Sequence, residues 1–213
     1  ASAPPERQAD WERALAAVAA REGVRLIGPN CMGTHAPAAR FTFMEGVRAE
    51  PGAVGVACQS GGLGMDILRR GQAAGLAFSG LVTIGNALDV DACDLFEHFL
   101  GDPATRVIGL YIEDVKDGAR FQALARANAG AKPVVLLVGG TTRQGSAAAA
   151  SHTGALGGSD RAWQGLAAQT GMILTETLDD FLDMLKLCLW LSPKECTGPA
   201  GVTLSGNGGG ARL

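Results

Sequence analysis

The chain has 213 residues, 47% of them hydrophobic, enough to fill a sizeable core without staples. Its 18 basic and 21 acidic side chains give a formal charge of -3, and no Lys/Arg cluster with interleaved aromatics argues for a nucleic-acid partner. No apolar run approaches the roughly 20 residues of a membrane span, and the odd set Cys31, Cys58, Cys93, Cys188 and Cys196, with no C-x-x-C, suggests neither a disulfide framework nor a metal site.

Reduced thiols and a cytoplasmic location are the expectation. The opening "ASAPPERQ" lacks the layout of a signal peptide and has no Met, so a fragment or processed chain is expected. The segment "ADWERALAAVAAREG" carries Trp11, Leu15 and Val18 at helical spacing and stops at Gly23, which predicts a helix with a glycine cap. "VRLIGP" then reads as a short strand.

From residue 53 a rhythm sets in. The strands read "AVGVAC", "FSGLVTIG", "RVIGLYIED", "PVVLLVGG" and "MILTE", each followed by a Gly or Asp turn and a helix-length amphipathic segment. Strands apolar on both faces, alternating with helices, predict an α/β fold: a doubly wound, flavodoxin-like, five-stranded parallel sheet with helices on both faces. This domain is placed at residues 50–192. Residues 1–49 read as the end of a preceding domain plus a linker, and 193–213 as a linker and the first strand of a following domain.

Ligands of such sheets gather at the carboxyl ends of the strands, so the turns there are the candidate chemistry. "CQSGGLG" sets Ser60, Gly61 and Gly62 at a helix start, where unpaired N–H groups and the helix dipole suit an anion; Ser60 reads equally well as an ordinary N-cap. The spacing G-x-G-x-x-G of a dinucleotide fold is absent. "YIEDVKDG" ends the third strand with Glu113 and Asp114, one of which is expected to face the crevice. In "TIGNALDVD", which holds Asn86, either Asp89 or Asp91 is expected to cap the next helix. "GTTRQGS" resembles a nucleotide-binding loop but has Gln144 and Gly145 before Ser146 and no Lys, which rules that reading out. The same long stretch continues into "AAAASHTGALGG", where small residues leave His152 accessible. His35 and His98 read as surface histidines.

A helix start, a carboxylate and an imidazole on three turns of one crevice suit two mechanisms. In one, His152 accepts a phosphoryl group, Glu113 holds its other ring nitrogen, and the Ser60 helix holds the charge. In the other, Ser60 is a hydrolase nucleophile served by His152 and Asp114 or Glu113, although Cys58 stands where the elbow motif needs Gly and no HGGG-type loop precedes it.

"RLIGPNCMG", "CQSGGLG", "TIGNALDVD", "YIEDVKDGARF", "KPVVLLVGG", "SHTGALGG" and "GVTLSGNGGGARL", in this order, closely resemble the nucleoside-diphosphate-forming acyl-CoA synthetases, relatives of succinyl-CoA synthetase. The resemblance implies conversion of a small organic acid, CoA and ATP to acyl-CoA, ADP and phosphate through a phosphohistidine and an acyl phosphate. It implies that His152 is the phosphohistidine and that Glu113 orients it. Ser60, Gly61 and Gly62 would form one phosphate-holding helix start, and Asn207, Gly208 and Gly209 of "SGNGGG" the second. Asn30 and Cys31 of "GPNC" would lie near the thiol end of CoA. Cys58 stands where relatives commonly have Ser. The nucleotide, ATP or GTP with Mg2+, would be bound by an ATP-grasp domain or partner subunit, of which no stretch is found here, and association into an oligomer is implied. The chain is therefore expected to be the phosphohistidine-bearing piece of a larger acid-CoA ligase. A CoA-responsive regulatory module of a multidomain protein such as an acyltransferase is the alternative.

Overall fold

The computed structural model describes residues 5–139 and 160–191. Its elements are α1 (Pro5–Glu22), β1 (Thr34–His35), β2 (Val54–Cys58), α2 (Gly61–Ala73), β3 (Phe78–Thr83), α3 (Ala92–Gly101), β4 (Val107–Ile112), α4 (Gly118–Asn128), β5 (Val134–Val138), α5 (Asp160–Thr170), β6 (Ile173–Thr175) and α6 (Leu178–Trp190), with one 3-10 turn at Pro37–Ala39.

The strand order is β1-β3-β2-β4-β5-β6. Five strands, β3, β2, β4, β5 and β6, run parallel as the alternating pattern implies. The sixth, β1, was not foreseen and pairs antiparallel with β3 at the edge, Thr34 opposite Val82 and His35 opposite Leu81. Chain direction explains the layers. α2 and α6 pack together on one face, whereas α3, α4 and α5 cover the other. The two faces bury separate apolar cores, one around Phe78, Ile67 and Phe181, the other around Phe96, Phe99 and Phe121. The helices after β2 and β4 thus leave on opposite faces although these strands are neighbours. A crevice opens between their carboxyl ends, the switch point at which such sheets bind ligands.

Two expectations about the first 49 residues are corrected. "VRLIGP" forms no strand. It runs beside the turn after β3 instead, with Leu26 O accepting from Val90 N at 3.0 Å, Gly28 O from Leu88 N at 2.8 Å and Pro29 O from Asn86 N at 2.9 Å. Asp89 secures this stretch, accepting from Leu26 N at 2.7 Å and from Arg25 Nε at 3.0 Å. His35 is not a surface residue but is 1% exposed. Pairing of β1 with β3 carries it under the sheet edge, where its ring meets Phe78 edge-on and Nδ1 lies 3.1 Å from Thr42 Oγ1. His98 is exposed as expected. α1 is helical where its spacing predicts, yet Trp11, Leu15 and Val18 lie on an exposed stripe and Ala19 is the buried contact. No helix among the described residues is long and apolar enough to cross a membrane.

Two measurements check this architecture. Phe181 is fully buried beneath β4, so Phe181→Ala should lower the unfolding free energy by about 3–5 kcal/mol in a denaturant titration. Burial holds the His35 imidazole below its ordinary value of 6.5. The unfolded chain therefore binds a proton that the native chain refuses, and this contribution is whole above about pH 6.5 and fades as pH falls toward the depressed native value. His35→Asn should remove that part of the stability-against-pH slope.

Candidate functional site at the carboxyl ends of β2, β4 and β5

β2 ends at Cys58, and two residues later the chain enters α2. Ser60 is the N-cap, in extended backbone (φ -91, ψ 125), and its side chain accepts from Leu63 N at 3.3 Å. The N–H groups of Gly61 and Gly62 lie in the first turn, whose amides have no acceptor within the helix. Around Gly62, an added Cβ meets no atom of the described residues within 4 Å. Gly61 is covered by the segment that follows Asn30 and Cys31, since a Cβ there would lie 2.9 Å from Met32 Cγ. The CoA-proximal pair of the sequence reading is thus brought beside the proposed phosphate-holding helix start. The hydrolase reading fails here, because a nucleophile elbow is a sharp, strained turn and Ser60 sits in ordinary extended backbone as a cap.

The carboxylate comes from the neighbouring strand. Tyr111 and Glu113 are two residues apart at the end of β4 and so share a face of the sheet; Tyr111 Oη donates to Glu113 Oε1 at 3.1 Å. Gln59, which sequence reasoning passed over, joins the two strand ends. Its backbone N–H donates to Tyr111 O at 3.0 Å, and its side-chain Oε1 accepts from Glu113 N at 2.8 Å and Asp114 N at 3.0 Å. β5 reaches the same point. At Gly139 an added Cβ would lie 2.5 Å from Tyr111 Oη and 2.9 Å from Glu113 Cγ. A side chain there would collide with the pair.

Electrostatics keeps the neighbours of Glu113 uncharged. Burial, and then the adjacent Glu113 carboxylate, push the Tyr111 phenol well above its usual range, so it remains a donor. Burial raises the Cys58 thiol strongly, and Cys58 Sγ donates to Ser60 O at 3.0 Å. Cys93 is pushed up to about 11 by burial, with Asp91 adding to it.

The remaining acidic candidates have structural work. Asp91 caps α3 in a capping box with Asp94, whereas Asp89 is the Arg25 clamp described above. Arg25 holds the Asp89 carboxyl below its ordinary range. Asp114 turns toward a cavity of about 230 Å3, which Gln59, Asn86 and Lys116 also line. Asn86 ties that cavity to α1 and to Asn30, donating to Glu12 Oε1 at 2.9 Å and accepting from Asn30 Nδ2 at 3.3 Å. Cys31 is half-buried, and its thiol donates to Ile27 O at 3.7 Å. His152, Asn207, Gly208 and Gly209 lie outside the described residues.

Residues 51–188 match the family described as succinyl-CoA ligase like flavodoxin domain. The chain belongs to this family. It is 38% identical over 186 residues to the alpha subunit of acetate-CoA ligase (ADP-forming) II of Pyrococcus furiosus, covering 86% of this chain and 40% of that subunit. It is 36% identical over 182 residues to acetate-CoA ligase (ADP-forming) I of Archaeoglobus fulgidus, covering 85% of this chain and 27% of that protein. Among solved structures, acetyl-coenzyme A synthetase 1 of Ca. Korarchaeum cryptofilum, in complex with phosphate and ADP, superimposes with a TM-score of 0.77 at 32% identity, over 85% of this chain and 40% of that one. The chain therefore spans less than half the length of these relatives. Within the succinyl-CoA ligase-like flavodoxin domain, the helix start and the pinned carboxylate share the switch-point crevice.

Thiol reactivity reads out the burial around this crevice. Under native conditions Ellman's reagent should modify Cys31 well ahead of Cys58 and Cys93, because burial keeps the latter two as thiols. Cys58 reacting as fast as Cys31 would contradict the packing at the end of β2.

Proposed function

We propose that this chain carries the phosphohistidine of an ADP-forming acyl-CoA synthetase, an enzyme that converts a small organic acid, CoA and ATP to acyl-CoA, ADP and phosphate. The observation that carries the reading is the meeting of three strand ends: the α2 start at Gly61 and Gly62, the Glu113 backbone tied to it by Gln59, and Gly139 packed on both Tyr111 and Glu113. Residue 152 is 13 positions beyond Gly139. At no more than about 3.6 Å per residue, the intervening chain spans at most about 47 Å, a length compatible with the proposed meeting of His152 and Glu113. The names of the relatives, ADP-forming acetate-CoA ligases, support the same chemistry.

The roles follow from the residue types. Imidazole, with an ordinary pKa near 6.5, is largely neutral at physiological pH and is a competent nucleophile. Its attack on the terminal phosphorus of ATP forms the N–P bond as the bond to the departing ADP oxygen breaks. Glu113, accepting a hydrogen bond from the ring N–H, fixes the tautomer that leaves the other nitrogen free to attack. The amides of Gly61 and Gly62 hold the phosphoryl oxygens, with the positive end of the α2 dipole behind them. The acid's carboxylate then takes the phosphoryl group, freeing His152, and the CoA sulfur attacks the acyl carbon as phosphate leaves. ATP and Mg2+ belong to an ATP-grasp domain or subunit, and Asn207, Gly208 and Gly209 are assigned to the second phosphate-holding group. Asn30 and Cys31, beside Gly61 through Met32, lie on the path of the CoA thiol.

The test is labelling. With terminally labelled ATP and the nucleotide-binding partner, the full-length protein should acquire base-stable, acid-labile phosphate on this domain. His152→Ala should abolish it, and Glu113→Gln should slow it by about 100-fold. Undiminished labelling of His152→Ala would refute the assignment.

A further inference from the structure

Tyr111 donates to the Glu113 carboxylate and Gln59 accepts from the Glu113 backbone N–H, and neither side chain takes part in the proposed phosphoryl transfer. We infer that Gln59 and Tyr111 are positioning residues that present one oxygen of Glu113 to the phosphoryl-carrying imidazole, an inference that rests on the roles of Glu113 and His152 proposed above.

Three features support it. Glu113 and Asp114 lie just past the end of β4, where two successive N–H groups meet one acceptor, Gln59 Oε1, at 2.8 and 3.0 Å. An amide oxygen has two lone pairs, and both are used. Gln59 therefore fixes the backbone from which Glu113 projects, and it does so from the strand end that starts the phosphate-holding helix. Tyr111 Oη donates to Oε1 alone, and among the described residues no donor reaches Oε2. The phenol, kept protonated by burial, occupies one carboxylate oxygen with a charge-assisted bond and leaves the other for an incoming N–H. Gly139 completes the arrangement, because a Cβ at that position would lie 2.5 Å from Tyr111 Oη and 2.9 Å from Glu113 Cγ, so only glycine lets the chain beyond β5 pass the pair. Ordinary strand packing explains neither the doubly used amide nor the one-sided carboxylate.

The discriminating experiment is a double-mutant cycle in the full-length protein with its nucleotide-binding partner, following phosphate transfer from labelled ATP to His152 in a single turnover. Tyr111→Phe keeps the ring and loses only the donor; Gln59→Met keeps the length and loses the acceptor. Each should slow labelling by about 10-fold to 100-fold, with the KM values for acid and CoA moving less than about twofold. Combined with Glu113→Ala, each should cause no further loss, because its effect passes through the carboxylate. In Gln59→Met the amides of residues 113 and 114 should also exchange with solvent faster than in the parent. Losses that multiply independently of Glu113, or unchanged rates in both variants, overturn the inference. A parent that takes no label on His152 overturns instead the reading on which it rests, and this inference with it. Should Gln59→Met fail to fold, Tyr111→Phe alone decides between these results.

Discussion

Parallel pairing of β2 with β4, strands whose following helices leave on opposite faces of the sheet, is the constraint on which the site depends. Because the pairing is in register, Cys58 lies opposite Tyr111, and the residues just beyond each strand face one another across the switch point. Gln59 makes use of that adjacency. Its side chain satisfies two backbone donors that the ladder no longer reaches, and buried or half-buried N–H groups at a strand end need such an acceptor. One amide side chain thereby couples the register of the sheet to the position of a carboxylate.

A phosphoryl carrier needs opposed properties at one place. The charge of the transferred group calls for fixed donors, which the first turn of α2 supplies without any ionisable partner. The nucleophile needs a fixed tautomer when it reacts and freedom to leave afterwards. In the proposed reaction the fixed parts are Glu113, Tyr111 and Gln59, all anchored to strand ends. Neutral neighbours matter as well. Cys58 and Tyr111 both face the carboxylate, and burial keeps each protonated, so neither adds negative charge beside an incoming phosphoryl group.

Much of this was legible in the sequence, for identifiable reasons. The five β-α units announce themselves through apolar strands followed by turn residues, and the caps at Ser60 and Asp91 are local signals. Glu113 could be placed at a strand end, and Tyr111 was within reach of the same reasoning, since residues two apart on a strand share a face. Gln59 was not legible. Its partners lie 54 and 55 residues away, and a glutamine between Cys58 and Ser60 reads as one more polar turn residue. β1 escaped for a similar reason: two residues carry no period, and only the antiparallel partner β3 makes them a strand. That pairing, which local pattern does not encode, buries His35.

The central claim is that one site contains the helix start, the carboxylate and the imidazole, and a crystal structure of the phosphorylated full-length protein tests it most directly. The account predicts a phosphorylated His152 whose other ring nitrogen lies about 2.6–3.2 Å from Glu113 Oε2, with phosphoryl oxygens on the amides of Gly61 and Gly62. Phosphate on a different residue, or a phosphohistidine held by donors away from the ends of β2 and β4, would contradict it.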